Sequence, residues 1–116
     1  MKLRIASIIL IAVSTVVPQV AGASAHHSSR LVSPAIFAKV LKVHNCEEST
    51  WNVNGPTYAG GLGWRIATWY AYRLAWMPSS AAKATPETQA RAMLHFVTVA
   101  MHGVWPDQVP GKCAGY

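Results

Sequence analysis

The sequence predicts one small α+β domain, mainly helical, with a short hairpin or irregular loop and a single disulfide. Three observations lead to this prediction. Apolar residues recur at helical spacing in two segments, each opened by a hydroxyl residue and a proline at 33–34 and 85–86. A stretch rich in glycine, asparagine and proline lies between them. The two cysteines, Cys46 and Cys113, allow only one bridge.

Residues 1–25 are predicted to be a signal peptide. Two basic residues precede an uncharged apolar run at 5–17, and Ala-Ser-Ala at 23–25 forms a cleavage signal. A membrane span needs about 20 apolar residues, so an uncleaved anchor is disfavoured. We therefore expect a secreted protein with no membrane association after cleavage, a flexible arm at 26–33 and one domain at 34–116.

The charge of the chain and the distribution of its basic residues indicate which partners to expect. Removing the two basic residues of the signal peptide lowers the net charge from +6 to +4, which suits an anionic surface such as a cell wall. The remaining basic residues are scattered, without a run or a recognised motif, so no nucleic acid is expected. His95 and His102 are too far apart for the i,i+4 zinc pair. We predict a monomer with no metal and no cofactor.

The first predicted helix starts with Ser33 as N-cap and Pro34 at its first position. At 100° per residue, Glu47 falls near the middle of its apolar stripe and Glu48 toward one edge. This helix therefore delivers a carboxylate from its buried face. The stripe consists of Ile36, Phe37, Val40, Leu41, Val43 and His44.

The middle of the chain predicts a loop, a helix and a linker. Residues 49–63 lack periodicity and are rich in turn-forming residues, which predicts an irregular hairpin or a closely packed loop. Residues 65–76 predict a second helix, stopped by Pro78. Residues 79–84 form a linker with room for one helical turn.

The third predicted helix begins with Thr85 as N-cap, and its apolar stripe continues to Val104 with Gly103 as a plausible stop. The tail at 105–116 contains the second cysteine. In an oxidising compartment we expect a bridge from Cys46 to Cys113, which closes a 67-residue loop and contributes about 4 kcal/mol. Free thiols or a metal site would need a reducing compartment or further ligands.

Glu47 is the candidate for acid chemistry. Burial raises the pKa of a carboxyl group, so it can hold a proton near neutral pH and give it to a leaving oxygen. Most glycosidases need a second carboxylate. Glu48 is too close along the helix and Glu87 belongs to a helix N-terminus, whereas Asp107 in the tail remains open. A lytic transglycosylase needs one glutamate only, because the sugar's own 6-hydroxyl acts as the nucleophile.

The order of several residues resembles that of resuscitation-promoting factors, small domains of the transglycosylase-like family. The resemblance covers about residues 36–116 and implies a lysozyme-like fold that acts on peptidoglycan. It also implies that Glu47 is the catalytic acid, that Thr68 lies in the cleft and that the two cysteines pair. The matching elements are Cys46-Glu47, Trp51, Tyr58-Ala59-Gly60-Gly61-Leu62, Thr68-Trp69, Trp105-Pro106 and Cys113.

The chain departs from that family at three places. Glu48-Ser49-Thr50 replaces the usual Gly-Gly-Asn, and Gly63 stands where a glutamine is usual. A second cleft glutamine maps loosely onto His102. The predicted substrate-binding residues are Trp51, Tyr58, Thr68, Trp69 and His102, because aromatic rings offer apolar faces to sugars and the others map onto cleft positions.

Three functions are compatible with these patterns. The first is a secreted, cell-wall-associated glycosidase that cleaves peptidoglycan, either as a lytic transglycosylase or as a muramidase-like hydrolase, with activity retained, reduced or lost. The second is a non-catalytic wall-binding or signalling protein on the same scaffold, which the glycine at Gly63 favours. The third is a small secreted disulfide protein that acts on another protein.

Overall fold

The computed structural model describes residues 31–47, 49–111, 113 and 115–116. About half of these residues are helical, and the rest include a two-stranded sheet and one disulfide. The predicted signal peptide, most of the predicted arm and Glu48 lie outside the described residues. Within the described part of the chain, no helix is long and apolar enough to cross a membrane.

Three helices surround a small antiparallel hairpin. In the hairpin, Tyr58 pairs with Arg65 and Ala59 with Trp64, so the tight turn between the strands holds Gly60 to Gly63. This is the irregular hairpin that the turn-forming residues predict. The elements are α1 (Pro34–Glu47), β1 (Tyr58–Ala59), β2 (Trp64–Arg65), α2 (Ile66–Tyr72) and α3 (Pro86–Val99), with short 3-10 turns at Ala81–Lys83 and Pro106–Gln108.

The core centres on Trp64 of β2, which is fully buried. Its ring meets Trp69 of α2 edge-on at 5.5 Å and Phe96 of α3 at 5.7 Å. Val40 and Val43 of α1 are buried as well. Trp64 thus packs against both α2 and α3, which are far apart in sequence, and it fixes the hairpin between them.

Helix α1 begins where the sequence predicts. The Oγ of Ser33 accepts a hydrogen bond from the backbone N–H of Ile36 at 3.2 Å, as an N-cap does. The predicted apolar stripe is only partly buried, since Leu41 is 37 % exposed while Val40 and Val43 are at 0 %. The helix ends at Glu47.

Helix α2 is shorter than predicted and ends at Tyr72 rather than Trp76. Arg73 adopts an extended backbone there. The chain then turns back, with the N–H of Met77 donating to the carbonyl of Leu74 at 2.9 Å, and the Met77 side chain is buried. Burial of Met77 competes with continuation of the helix, so the proline at 78 is not what ends it. The linker prediction is confirmed by the 3-10 turn at Ala81–Lys83.

Helix α3 also begins as predicted, with the Oγ1 of Thr85 accepting from the N–H of Thr88 at 3.2 Å. It ends at Val99, earlier than the apolar pattern suggests. His102 and Gly103 have positive φ values of 54° and 84°, and they reverse the chain just beyond the helix.

The predicted disulfide between Cys46 and Cys113 is confirmed, with the two Cα atoms 5.8 Å apart. It ties the end of α1 to the tail. The ring of Tyr116 then packs in the core, stacked on Phe96 at 5.2 Å and edge-on to Trp64 at 5.4 Å. The bridge therefore brings the last described residues back to the hairpin.

Candidate active site around Glu47

Glu47 is the last residue of α1 and follows the bridged Cys46 directly. Its carboxyl group lies against the backbone of Gly63 in the hairpin turn. A methyl group on Gly63 would come within 2.6 Å of the carboxyl carbon and one oxygen of Glu47, and 2.9 Å of the other. Gly63 also has a positive φ of 66°, which disfavours any side chain there. The glycine therefore makes the space that the carboxyl occupies.

The environment of Glu47 favours its protonated form. The residue is half-buried, and this burial raises the pKa of its carboxyl group above the ordinary value. Loss of solvation is the cause, because removing a carboxylate from water disfavours its charged form. A carboxyl group with a raised pKa retains its proton closer to neutral pH, as a general acid requires.

Tyr116 is the residue of the tail that packs against the hairpin turn beside Glu47. Its hydroxyl donates a hydrogen bond to the carbonyl oxygen of Leu62, one residue before Gly63. Burial raises the pKa of the Tyr116 phenol well above 10, and the negative charge of Glu47 raises it further. The phenol therefore stays neutral beside the carboxyl, and it serves as a hydrogen-bond donor.

The hairpin turn is held from behind by Gln89 of α3, which is fully buried. Its Oε1 accepts from the N–H of Gly61 at 2.9 Å. Its Nε2 donates to the carbonyls of Trp51 at 2.9 Å and of Ala81 at 3.0 Å, with Ala84 at 3.1 Å. One amide thus satisfies backbone groups from three segments, and it fixes the turn that faces Glu47.

His44 and Trp51 form a second support of the turn. His44 lies one helical turn before Glu47, and its Nδ1 is 2.7 Å from the carbonyl oxygen of Gly61. The imidazole stacks on the indole of Trp51, with ring centroids 4.1 Å apart. Trp51 also packs against Gly61, where a methyl group would lie 2.7 Å from its ring. Trp51, predicted to bind substrate, therefore has one ring face covered by His44.

The other predicted substrate-binding residues lie in different environments. Tyr58 is 39 % exposed on β1, and its hydroxyl end packs over Gly115. Thr68 is half-buried on α2. Trp69 is buried, and its indole N–H donates to the carbonyl of Pro78 at 3.1 Å. His102 is exposed beyond the end of α3. Of the five predicted residues, Trp51 and Tyr58 contact segments that surround Glu47.

The remaining described carboxylates are placed elsewhere. Glu87 is exposed in the first turn of α3, where the helix dipole favours an acid. Asp107 lines a small cavity of about 60 Å³ beside Lys39 and Lys42 of α1. The turn that carries Asp107 packs against α1, and the buried Oδ1 of Asp107 has no hydrogen-bond partner among the described residues. Within that same set, no three His, Cys, Asp or Glu side chains come together as metal ligands.

A larger pocket, of about 210 Å³, opens on one side of α2. Ile66, Trp69 and Tyr70 of this helix line it, whereas Thr68 does not. Tyr70 is 56 % exposed, and the guanidinium of Arg73 lies 5.5 Å from the centre of its ring. This pocket combines an aromatic wall with the polar side chains of the neighbouring loops, and Glu47 is not among its lining residues.

Compared with protein-family models, with curated proteins and with solved structures, this chain matches none.

Sequence reasoning missed two residues of this site. Gln89 lies four residues before the buried Met93 and so falls on the apolar stripe of α3, where a polar residue indicates buried hydrogen bonding. The sequence alone therefore contained a signal for Gln89. Tyr116 carried no local signal, because its contact with Leu62 spans 54 residues and depends on the folded tail.

Proposed function

We propose that this domain is exported and cleaves peptidoglycan beside N-acetylmuramic acid, with Glu47 as the acid and then the base. The observation that carries the proposal is the half-buried carboxyl of Glu47, whose pKa is raised by loss of solvation next to the hairpin turn. Such a group protonates the glycosidic oxygen as the bond breaks. The order of residues shared with resuscitation-promoting factors supports the same assignment.

The distribution of acids favours the route with a single carboxylate. Glu87 lies at the start of α3, and Asp107 lies beside two lysines. With Glu47 as the only acid that the described residues bring to the site, the 6-hydroxyl of the muramic acid attacks the anomeric carbon, since an intramolecular nucleophile needs little activation. Glu47, deprotonated by the first step, then accepts the proton of that hydroxyl. The product is an anhydro sugar, and the enzyme is a lytic transglycosylase.

The test is a zymogram of the mature protein on cell-wall substrate, with Glu47→Gln as the variant. This change keeps the shape of the side chain and removes its acid, so we expect clearing to fall at least a hundredfold. Glu87→Gln is the matched control, because it alters an exposed glutamate at a helix start. Clearing by Glu47→Gln at the wild-type rate would overturn the assignment of the acid.

Mass spectrometry of the released fragments separates the two possible chemistries. Anhydro ends indicate the transglycosylase, whereas reducing ends indicate a hydrolase that uses water. A hydrolase would direct attention to Asp107 as the second carboxylate, and Asp107→Asn would then lower the rate.

A second candidate function is glycan binding without cleavage. The 210 Å³ pocket favours it, because the exposed ring of Tyr70 offers an apolar face to a sugar there and Glu47 is not among the lining residues. A pull-down on insoluble peptidoglycan, with no fragments released, would select this function. Loss of that binding in Tyr70→Ala, with binding retained in Glu47→Gln, would locate it at the pocket.

A further inference from the structure

The segment around Tyr116 lies directly behind the Glu47 site. The bridge from Cys113 to Cys46 brings this segment beside the end of α1. The N–H of Gly115 donates to the carbonyl of Gly63 at 3.3 Å. The hydroxyl of Tyr116 donates to the carbonyl of Leu62. Two successive carbonyls of the hairpin turn are therefore bound by two successive residues of the tail.

The position of Tyr116 is set by the core and not by the tail alone. Its ring stacks on Phe96 with an interplanar angle of 27° and meets Trp64 edge-on at 84°. Aromatic pairs of this kind stabilise a fold beyond the area they bury. A ring held on two sides directs its hydroxyl to one place, which is the carbonyl of Leu62.

The same peptide faces Glu47 on its other side. The Cα of Gly63 lies against the carboxyl, so a shift of the Leu62–Gly63 peptide changes how deeply Glu47 is buried. The charge of Glu47 also reaches the Tyr116 phenol and raises its pKa. Other titratable groups on these elements are His44, which bonds to Gly61, and Tyr58, which packs over Gly115.

We propose that Tyr116 is a positioning residue: it holds the Leu62–Gly63 peptide under the carboxyl of Glu47 and keeps water from the buried side of that carboxyl. Its importance for cleavage rests on the proposed function, whereas its effect on Glu47 does not. Tyr116 touches no substrate in this role. It acts through the hairpin turn, and the disulfide keeps it there.

The test measures the pKa of Glu47 by carbon NMR of the side-chain carboxyl groups. The chain has three glutamates, and the signal that disappears in Glu47→Gln assigns the resonance. We expect Tyr116→Ala to lower the pKa of Glu47 toward the usual glutamate value, because water reaches the carboxyl. Tyr116→Phe keeps the ring, which still excludes water, but it loses the bond that holds the Leu62–Gly63 peptide, so we expect a smaller fall of the pKa of Glu47.

The loss of the hydroxyl has its own readout. In Tyr116→Phe the tail loses one of its two hydrogen bonds to the turn, so we expect hydrogen exchange at the Gly115 amide to quicken about two- to tenfold. Tyr72→Ala is the matched control, because Tyr72 also packs on Phe96, at 5.0 Å, and belongs to α2 rather than to the tail. This control should leave the pKa of Glu47 unchanged.

Two results would overturn the proposal. One is a folded Tyr116→Ala variant, with wild-type circular dichroism, in which the pKa of Glu47 is unchanged. The other is an equal fall of that pKa in Tyr72→Ala, which would indicate general loosening of the core. Should Tyr116→Ala fail to fold, Tyr116→Leu takes its place, because leucine fills apolar space against Phe96 without reaching Leu62. The same two criteria then apply.

These outcomes are separate from those of the proposed function, because the pKa is measured without substrate. If the wild type never cleaves peptidoglycan, the positioning role still stands or falls on the NMR result. If it does cleave, Tyr116→Ala should lose activity at a lower pH than the wild type, since its acid gives up the proton earlier.

Discussion

The contact between Gly63 and Glu47 allows the sharpest test of the site, with Gly63→Ala as the perturbation. The new methyl group would lie 2.6 Å from the carboxyl of Glu47. Carbon contacts are most favourable at about 3.5–4.0 Å, so the carboxyl must move by about 1 Å. We expect the displaced carboxyl to lose both its burial and its place beside the turn.

The cost to stability has two parts. The positive φ of Gly63 is unfavourable for alanine by about 1–2 kcal/mol. The steric clash adds about 1–3 kcal/mol, as overpacking does elsewhere. Gly111→Ala isolates the first part, because Gly111 has a similar φ of 71° and nothing within 4 Å of the added methyl. Urea unfolding of both variants gives the difference.

A double-mutant cycle assigns the second part to Glu47. In Glu47→Ala the obstructing carboxyl is gone, so Gly63→Ala should cost no more than Gly111→Ala, with a coupling energy of about 1 kcal/mol or more. Equal costs for the two glycine variants in the wild-type background, together with zero coupling, would refute the reasoning. The carboxyl would then not occupy the space above Gly63.

Three further predictions concern the supports of the site. Gln89→Ala should lower the free energy of unfolding by about 2–4 kcal/mol, because its hydrogen bonds to four backbone groups are lost and, of these groups, the Ala81 carbonyl keeps its bond from Ala84; urea unfolding measures this, and Gln108→Ala at an exposed residue is the milder control. Replacing both Cys46 and Cys113 by serine should cost about 4 kcal/mol for a loop of 67 residues, checked by the same assay. The folded-state pKa of Glu47 is raised, so its stabilising contribution is complete below the unfolded pKa and is lost as pH rises through the folded one. As pH rises from the unfolded pKa to the folded pKa, Glu47→Gln should therefore become more stable relative to the wild type, and at lower pH it should show no such gain. Thermal unfolding at several pH values measures this difference.

The sequence was most informative where a feature is local. Both long helices begin at the predicted caps, Ser33 and Thr85, because a hydroxyl side chain bonds to an N–H only two or three residues away. The partial burial of Glu47 follows from helical periodicity alone. The disulfide also needed no structural knowledge, since two cysteines allow one pairing.

The features that depend on distant contacts could not be read from the sequence. Helix α2 stops at Tyr72 because the chain turns to bury Met77, and nothing within the segment signals that competition. The close approach of Gly63 to Glu47 requires the hairpin to dock on α1. The type of an aromatic residue did not predict its exposure to solvent either. Trp69 is buried and hydrogen-bonded, whereas its neighbour Tyr70 is exposed.

The hydrogen bonds of Gln89 have a consequence for the order of folding. They join α3 to Gly61 and Trp51, which lie 28 and 38 residues earlier in the chain. We expect such bonds to close only after the helix and the hairpin have each formed, in the last step of assembly. We expect Gln89→Ala to refold at nearly the wild-type rate and to unfold much faster. The buried amide would then slow unfolding, and in this way it would set how long the assembled site survives.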